Sequence, residues 1–159
     1  EKIIKEFEKK IGSDLRVFRY KQMYQTSLRN FNKFKNRLNF HFVLVYPNFK
    51  CSTKAIYLKV KKLSKFQRDI TSNIKFKNNF IDIIKKEGND LEKISIKKFP
   101  KIRKVLSNLA SQRECILSRM TGSGSACFGM FSTKKSALLA LRKIKNKFPG
   151  YWCVTAKSI

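Results

Sequence analysis

The sequence predicts an α+β domain, an antiparallel sheet with helices packed on one face. Three observations carry that prediction. From residue 80 onward the apolar spacing reads as helices, then strand, strand, helix, strand. Two of those strands, "ECILSRM" and "ACFGMF", flank a run of small residues, as a turn between paired strands requires. The chain has 159 residues, 42% of them hydrophobic and 14 of them Phe, which suffices for one core and is too apolar for disorder.

The elements follow in order. Ile3, Ile4, Phe7 and Ile11 recur at helical spacing, so a helix over 2–10 ends near Gly12. "LRVFRY" (15–20) and "QMYQTSL" (22–28) read as short strands, and the polar 30–39 stretch as a loop. "FHFVLVYP" (40–47) is the clearest strand, β-branched and aromatic, closed by Pro47. Ser52 or Thr53 caps a helix over "KAIYLKVKKL". Residues 66–78 lack a pattern and read as a loop or lid. "FIDIIKKEG" (80–88) is a short helix closed by Gly88. Asn89 or Asp90 caps the next one, and Pro100 starts a helix running to about 112. After the two strands, Ser132 or Thr133 caps a helix with apolar residues at 137, 138, 141 and 144. Pro149-Gly150 then turns the chain into the strand "YWCVTAK".

The formal charge is +27, from 37 basic and 10 acidic residues. Such a charge suits a nucleic-acid binder, and "FNKFKNRLNFHF" (31–42) interleaves aromatics with cations as single-strand binders do. However, lysines occur in nearly every segment rather than on one, and Phe40 and Phe42 continue into an apolar strand. The expectation is therefore no specific nucleic acid. No apolar run nears the ~20 residues of a membrane helix, so no membrane partner is expected either. Cysteines stand at 51, 115, 127 and 153 without a C-x-x-C pair, and His41 is the single histidine. Zinc is not expected; buried thiols in a reducing cytoplasm are. The chain begins at Glu1, inside an amphipathic run, and reads as part of a longer protein.

The small-residue loop is Gly122, Ser123, Gly124, Ser125 and Ala126. Glycines permit positive φ and close approach, so its N–H groups could face an anion or a sugar hydroxyl; a plain hairpin turn needs the same residues. The order strand, "SRMTGSGSACFGMF", helix, strand resembles the third conserved motif of the GHMP kinase superfamily. Within it, the sequence is most similar to the branch acting on 4-diphosphocytidyl-2-C-methyl-D-erythritol. Trp152, Val154 and Ala156 match that branch's closing strand. "IGSDLRVF" (11–18), "VYPNFKCSTKAIY" (45–57) and "GNDLE" (88–92), then Phe99, Pro100 and Ile102, match further blocks in order.

The resemblance implies phosphoryl transfer from ATP, with Mg2+ carried by the nucleotide, to the 2-hydroxyl of that small-molecule substrate in the methylerythritol phosphate route to isoprenoids. It implies a cytoplasmic enzyme, monomer or homodimer. It places the catalytic base at Asp14, whose carboxylate the positive field of the chain keeps ionised. It places Ser52 and Thr53 near the reacting phosphate or substrate, and Gly122, Ser123, Gly124 and Ser125 at the substrate and phosphate pocket. Asn89 and Asp90 read as helix caps rather than catalysts. Residues 1–38 would be a remnant of the N-terminal, ribosomal-protein-like domain, and 39–159 the C-terminal domain. The superfamily's Gly-rich ATP loop has no counterpart here, so a lone fragment should be inactive. Leu15 and Arg16 replace a usual Val-Pro, and 25–30 reads "QTSLRN" where a Gly-x-Gly-Glu stretch is usual. Another GHMP small-molecule kinase and a basic nucleic-acid-binding module are the alternatives.

Overall fold

The computed structural model describes residues 6, 7, 10, 22–25, 27, 30–34, 37–62, 64 and 77–158. The expected strand at 15–20, most of the opening helix, and residues 66–76 lie outside the described residues. Glu6, Phe7 and Lys10 are helical, as the spacing predicts.

β1 (Met23–Gln25) pairs antiparallel with β2 (Phe31–Lys33). The polar 30–39 stretch is thus not all loop. Pairing two three-residue segments uses main-chain groups, so a polar sequence conceals it. β3 (His41–Tyr46) lies between two later strands in a four-stranded antiparallel sheet. Its neighbours are β5 (Cys127–Phe131) and β6 (Trp152–Lys157), and β4 (Cys115–Met120) pairs with the far side of β5. In register, Val43 faces Gly129 on one side and Thr155 on the other.

The helices start where their caps predict. Ser52 accepts a bond from the Ala55 N–H at the head of α1 (Thr53–Tyr57), which stops well short of the expected Leu63. Ile56 is the one residue α1 buries; beyond it Leu58 is 77% exposed, and Val60 reaches the main core from outside the helix. α2 (Lys77–Lys86) begins three residues before Phe80 and closes the supposed loop. Asn89 caps α3 (Asp90–Lys98), Pro100 opens α4 (Pro100–Ala110), and Thr133 caps α5 (Lys134–Lys147).

Alternation along β3 and β5 divides the sheet into two faces. Val43, Val45, Cys127 and Phe131 meet Ile56 of α1, Leu91 of α3, Ile102, Val105 and Leu109 of α4, and Ala137, Ala140 and Ile144 of α5. This is the main core. At Gly129 a Cβ would lie 3.1 Å from Leu109, so α4 sits close upon β5. The expectation of helices on one face holds for these helices and misses α2. The opposite face buries Leu38, Phe40 and Met130, against which Phe34 and the α2 residues Phe80, Ile81, Ile83 and Ile84 pack. Phe128, Phe42 and Met130 point to that side and need a cover of their own.

Candidate functional site

Thr121 to Ala126 joins β4 to β5 at one end of the sheet. The Thr121 N–H donates to the Ala126 carbonyl at 2.9 Å, and the Gly124 N–H to the Thr121 carbonyl at 2.9 Å. Gly122 and Gly124 have φ of +49° and +88°. The positive φ of Gly124 favours glycine, and a Cβ there would lie 2.7 Å from Met120 Sδ and 3.3 Å from Cys51 Sγ, so those side chains would have to shift.

One stripe of α3 holds the loop by its main chain. The Asn89 amide donates to the Met120 carbonyl at 3.1 Å and to the Gly122 carbonyl at 2.8 Å. Its oxygen accepts from the Leu91 N–H at 3.0 Å, so the side chain caps the helix and bridges the loop at once. One turn on, Glu92 Oε2 accepts from the Met120 N–H at 2.9 Å. Ser95, fully buried, donates to the Ser123 carbonyl at 3.0 Å. Carbonyls 120, 122 and 123 are therefore drawn toward the helix. In a trans peptide N–H and C=O point oppositely. The Ser123 N–H is thus turned away from α3, and it has no backbone acceptor among the described residues.

α1 reaches the loop from another side. Thr53 Oγ1 and Ser123 Oγ are hydrogen-bonded at 2.9 Å. Ser125 is buried and its hydroxyl donates to the Phe49 carbonyl. Of the residues singled out in the sequence, Thr53, Gly122, Ser123, Gly124 and Ser125 come together here, with Ser52 beside them as the α1 cap. The Ser52 hydroxyl caps α1 and the Ser125 hydroxyl is taken by Phe49, whereas those of Thr53 and Ser123 bond each other at an exposed position. Asp14 lies outside the described residues. Sequence reading missed Glu92 and Ser95. Their signal is a polar residue every third position at 89, 92 and 95, beside an apolar face at Leu91 and Ile94.

Hydrogen bonds and burial set the charges. Asp90 accepts from the Ser64 hydroxyl at 2.5 Å and the Ser64 N–H at 2.9 Å. These hold its carboxyl below the ordinary 3.8. Beneath the loop, burial first, then Glu92 and Cys51, push the Cys127 thiol up to about 12. Burial also raises Cys51, against the pull of Lys98. Both stay as neutral thiols at neutral pH, packing groups rather than nucleophiles. All four cysteines are free. Among the described residues no cluster of His, Cys, Asp or Glu could hold a metal, and no helix is long and apolar enough to cross a membrane. What the loop offers is an N–H and a pair of mutually bonded hydroxyls, suited to a substrate hydroxyl or an anionic oxygen.

Comparison with known proteins gives concordant findings. The family described as GHMP kinases C terminal matches residues 69–150. The 4-diphosphocytidyl-2-C-methyl-D-erythritol kinase of Pelagibacter ubique is 36% identical over 157 residues, 98% of this chain and 54% of its own length. The kinase of the same name from Wolbachia sp. subsp. Drosophila simulans is 37% identical over 111 residues, 69% of this chain and 38% of its own. A solved 4-(cytidine 5'-diphospho)-2C-methyl-D-erythritol kinase matches with TM-score 0.69 at 18% identity, over 95% of this chain and 55% of that one. Homoserine kinase from Cytophaga hutchinsonii matches with TM-score 0.59 at 14% identity, over 82% and 44%. At those identities the structural likeness concerns the fold. The chain spans about half the length of the curated relatives it matches.

Proposed function

The chain belongs to the GHMP kinases, through the C-terminal domain those enzymes share, and on that premise we propose that it is the C-terminal part of an ATP-dependent 4-diphosphocytidyl-2-C-methyl-D-erythritol kinase. The observation that carries the reading is the glycine loop, braced by α3, with the Ser123 N–H turned away from that helix and the Ser123 and Thr53 hydroxyls bonded to each other at its exposed edge. The relatives' names supply the acceptor. Residues 39–159 would form the C-terminal domain and residues 1–38 the end of the N-terminal one.

The reaction requires the acceptor's 2-hydroxyl oxygen to attack the γ-phosphorus of ATP, the bond to ADP to break, and the hydroxyl proton to leave. Asp14 is the base that takes that proton. The loop is the chain's contribution to positioning. Its N–H and exposed hydroxyls bind the acceptor or the transferring phosphoryl group and hold it in line. Mg2+, arriving with ATP, would neutralise the phosphates. No Gly-rich ATP loop occurs in the sequence, so the nucleotide's phosphates fall to the half of the enzyme that the longer relatives possess. The enzyme would work in the cytoplasm.

The test is phosphoryl transfer by this chain joined to that N-terminal half, offered either the diphosphocytidyl substrate or homoserine. The expected result is turnover of the first alone. Asp14→Asn should lower turnover by about 100-fold or more with little change in ATP affinity. Preference for homoserine, or an Asp14→Asn variant as fast as wild type, would contradict the assignment.

A further inference from the structure

From the bonds between α3 and the glycine loop we infer that Asn89 is a positioning residue for phosphoryl transfer, setting the direction of the Ser123 N–H. The inference rests on the kinase reading above and deepens it. Its basis is a single side chain with three partners. The Oδ1 of Asn89 takes the Leu91 N–H, and its Nδ2 takes the Met120 and Gly122 carbonyls. The donor and acceptor sides fix the amide's orientation. Binding of the Gly122 carbonyl fixes the plane of the Gly122–Ser123 peptide, and therefore where the Ser123 N–H points. Gly122, with φ +49° and open space where a Cβ would be, offers little resistance of its own to rotation of that peptide. Glu92 and Ser95 clamp the loop on either side, at the Met120 N–H and the Ser123 carbonyl. Among the described residues, Asn89 alone holds the Gly122 carbonyl, and with it the peptide whose N–H is turned away from α3.

A helix cap and a loop brace make separable demands. Serine caps a helix about as well as asparagine, but it is too short to reach two carbonyls across the loop. Asn89→Ser therefore keeps the cap and loses the brace. Thr133→Ala is the matched control. It removes the cap bond to the Ser136 N–H at the head of α5, at the opposite end of β4 and β5.

The experiment measures kcat, KM and melting for the enzyme containing this chain, with amide resonances of the chain itself. Asn89→Ser should melt within about 4 °C of wild type, lose on the order of 10-fold or more in kcat, and shift the Ser123 amide resonance. Thr133→Ala should melt lower, with kcat within twofold of wild type. Equal kcat for Asn89→Ser and Thr133→Ala would overturn the inference. Should Asn89→Ser fail to fold, Asn89→Asp, which keeps the size and the cap, carries the same expectations. If the unmutated enzyme transfers no phosphoryl group, the kinase reading fails. The Ser123 resonance then decides the brace alone: moved, Asn89 orients that peptide; unmoved, it does not.

Discussion

Among the described residues, the two faces of the sheet differ in how densely they are packed. On the face carrying α1, α3, α4 and α5, Val43, Ile56, Ile102, Val105, Leu109 and Phe131 are wholly buried and form one continuous cluster. On the face carrying α2, three of the described residues are buried, and aromatic contacts such as Phe34–Phe80, edge to face at 5.8 Å, complete a smaller cluster. The difference follows the site. α3 and α4 belong to the dense face, and α3 holds the glycine loop. A loop held to a fraction of an ångström needs a foundation that does not relax, and close-packed cores supply one. The α2 face shields apolar side chains and carries no such demand.

Truncation on the two faces should therefore differ. Phe131→Ala, at the centre of the dense cluster, should cost about 3–5 kcal/mol and could leave the domain unfolded at 37 °C. Phe80→Ala, on partly buried α2, should cost roughly half that or less, since partial exposure forfeits part of the transfer gain. Chemical denaturation of both variants checks the contrast. Equal losses would mean that the faces form one cooperative core of even strength. The smallest effect is expected at the surface. Asp90, with its carboxyl depressed by Ser64, contributes stability that is fully present above its ordinary value of 3.8 and is lost as pH falls through the lower folded value. The melting difference between wild type and Asp90→Asn should be constant from pH 7 to about pH 5 and shrink below about pH 4. A difference that grows on acidification would contradict the Ser64 contact.

What the sequence disclosed divides along the same line. Local signals were legible. Alternation marked β3, Pro100 opened α4, and Asn89 and Thr133 stood where caps belong. The small residues at 122–126 marked a turn, and their resemblance to known kinases is the ground for proposing a site there. Non-local choices were not legible. Nothing in "HFVLVY" says that it will lie between β5 and β6, because pairing partners more than 80 residues away leave no local trace. β2 hides in a polar stretch since its bonds are main chain to main chain. α2 begins at polar Lys77–Asn79, ahead of its apolar pattern. Ser95 showed only as a polar position in an amphipathic helix; its partner, the Ser123 carbonyl, appears once the chain has folded.

The kinase proposal stands or falls on whether the glycine loop, as braced here, takes part in phosphoryl transfer. Substitution of Gly124 probes this, because a φ of +88° strains a β-branched residue and a Cβ 2.7 Å from Met120 Sδ forces that side chain to move. The measurement is the rate of ATP-dependent phosphorylation of the diphosphocytidyl substrate by the enzyme containing this chain, wild type against Gly124→Val, each confirmed folded by its melting transition. A loss of about 100-fold in a folded variant, the scale of an ångström of misplacement, is the predicted result. A folded Gly124→Val enzyme with wild-type turnover would contradict the account and leave the loop a plain turn between two strands.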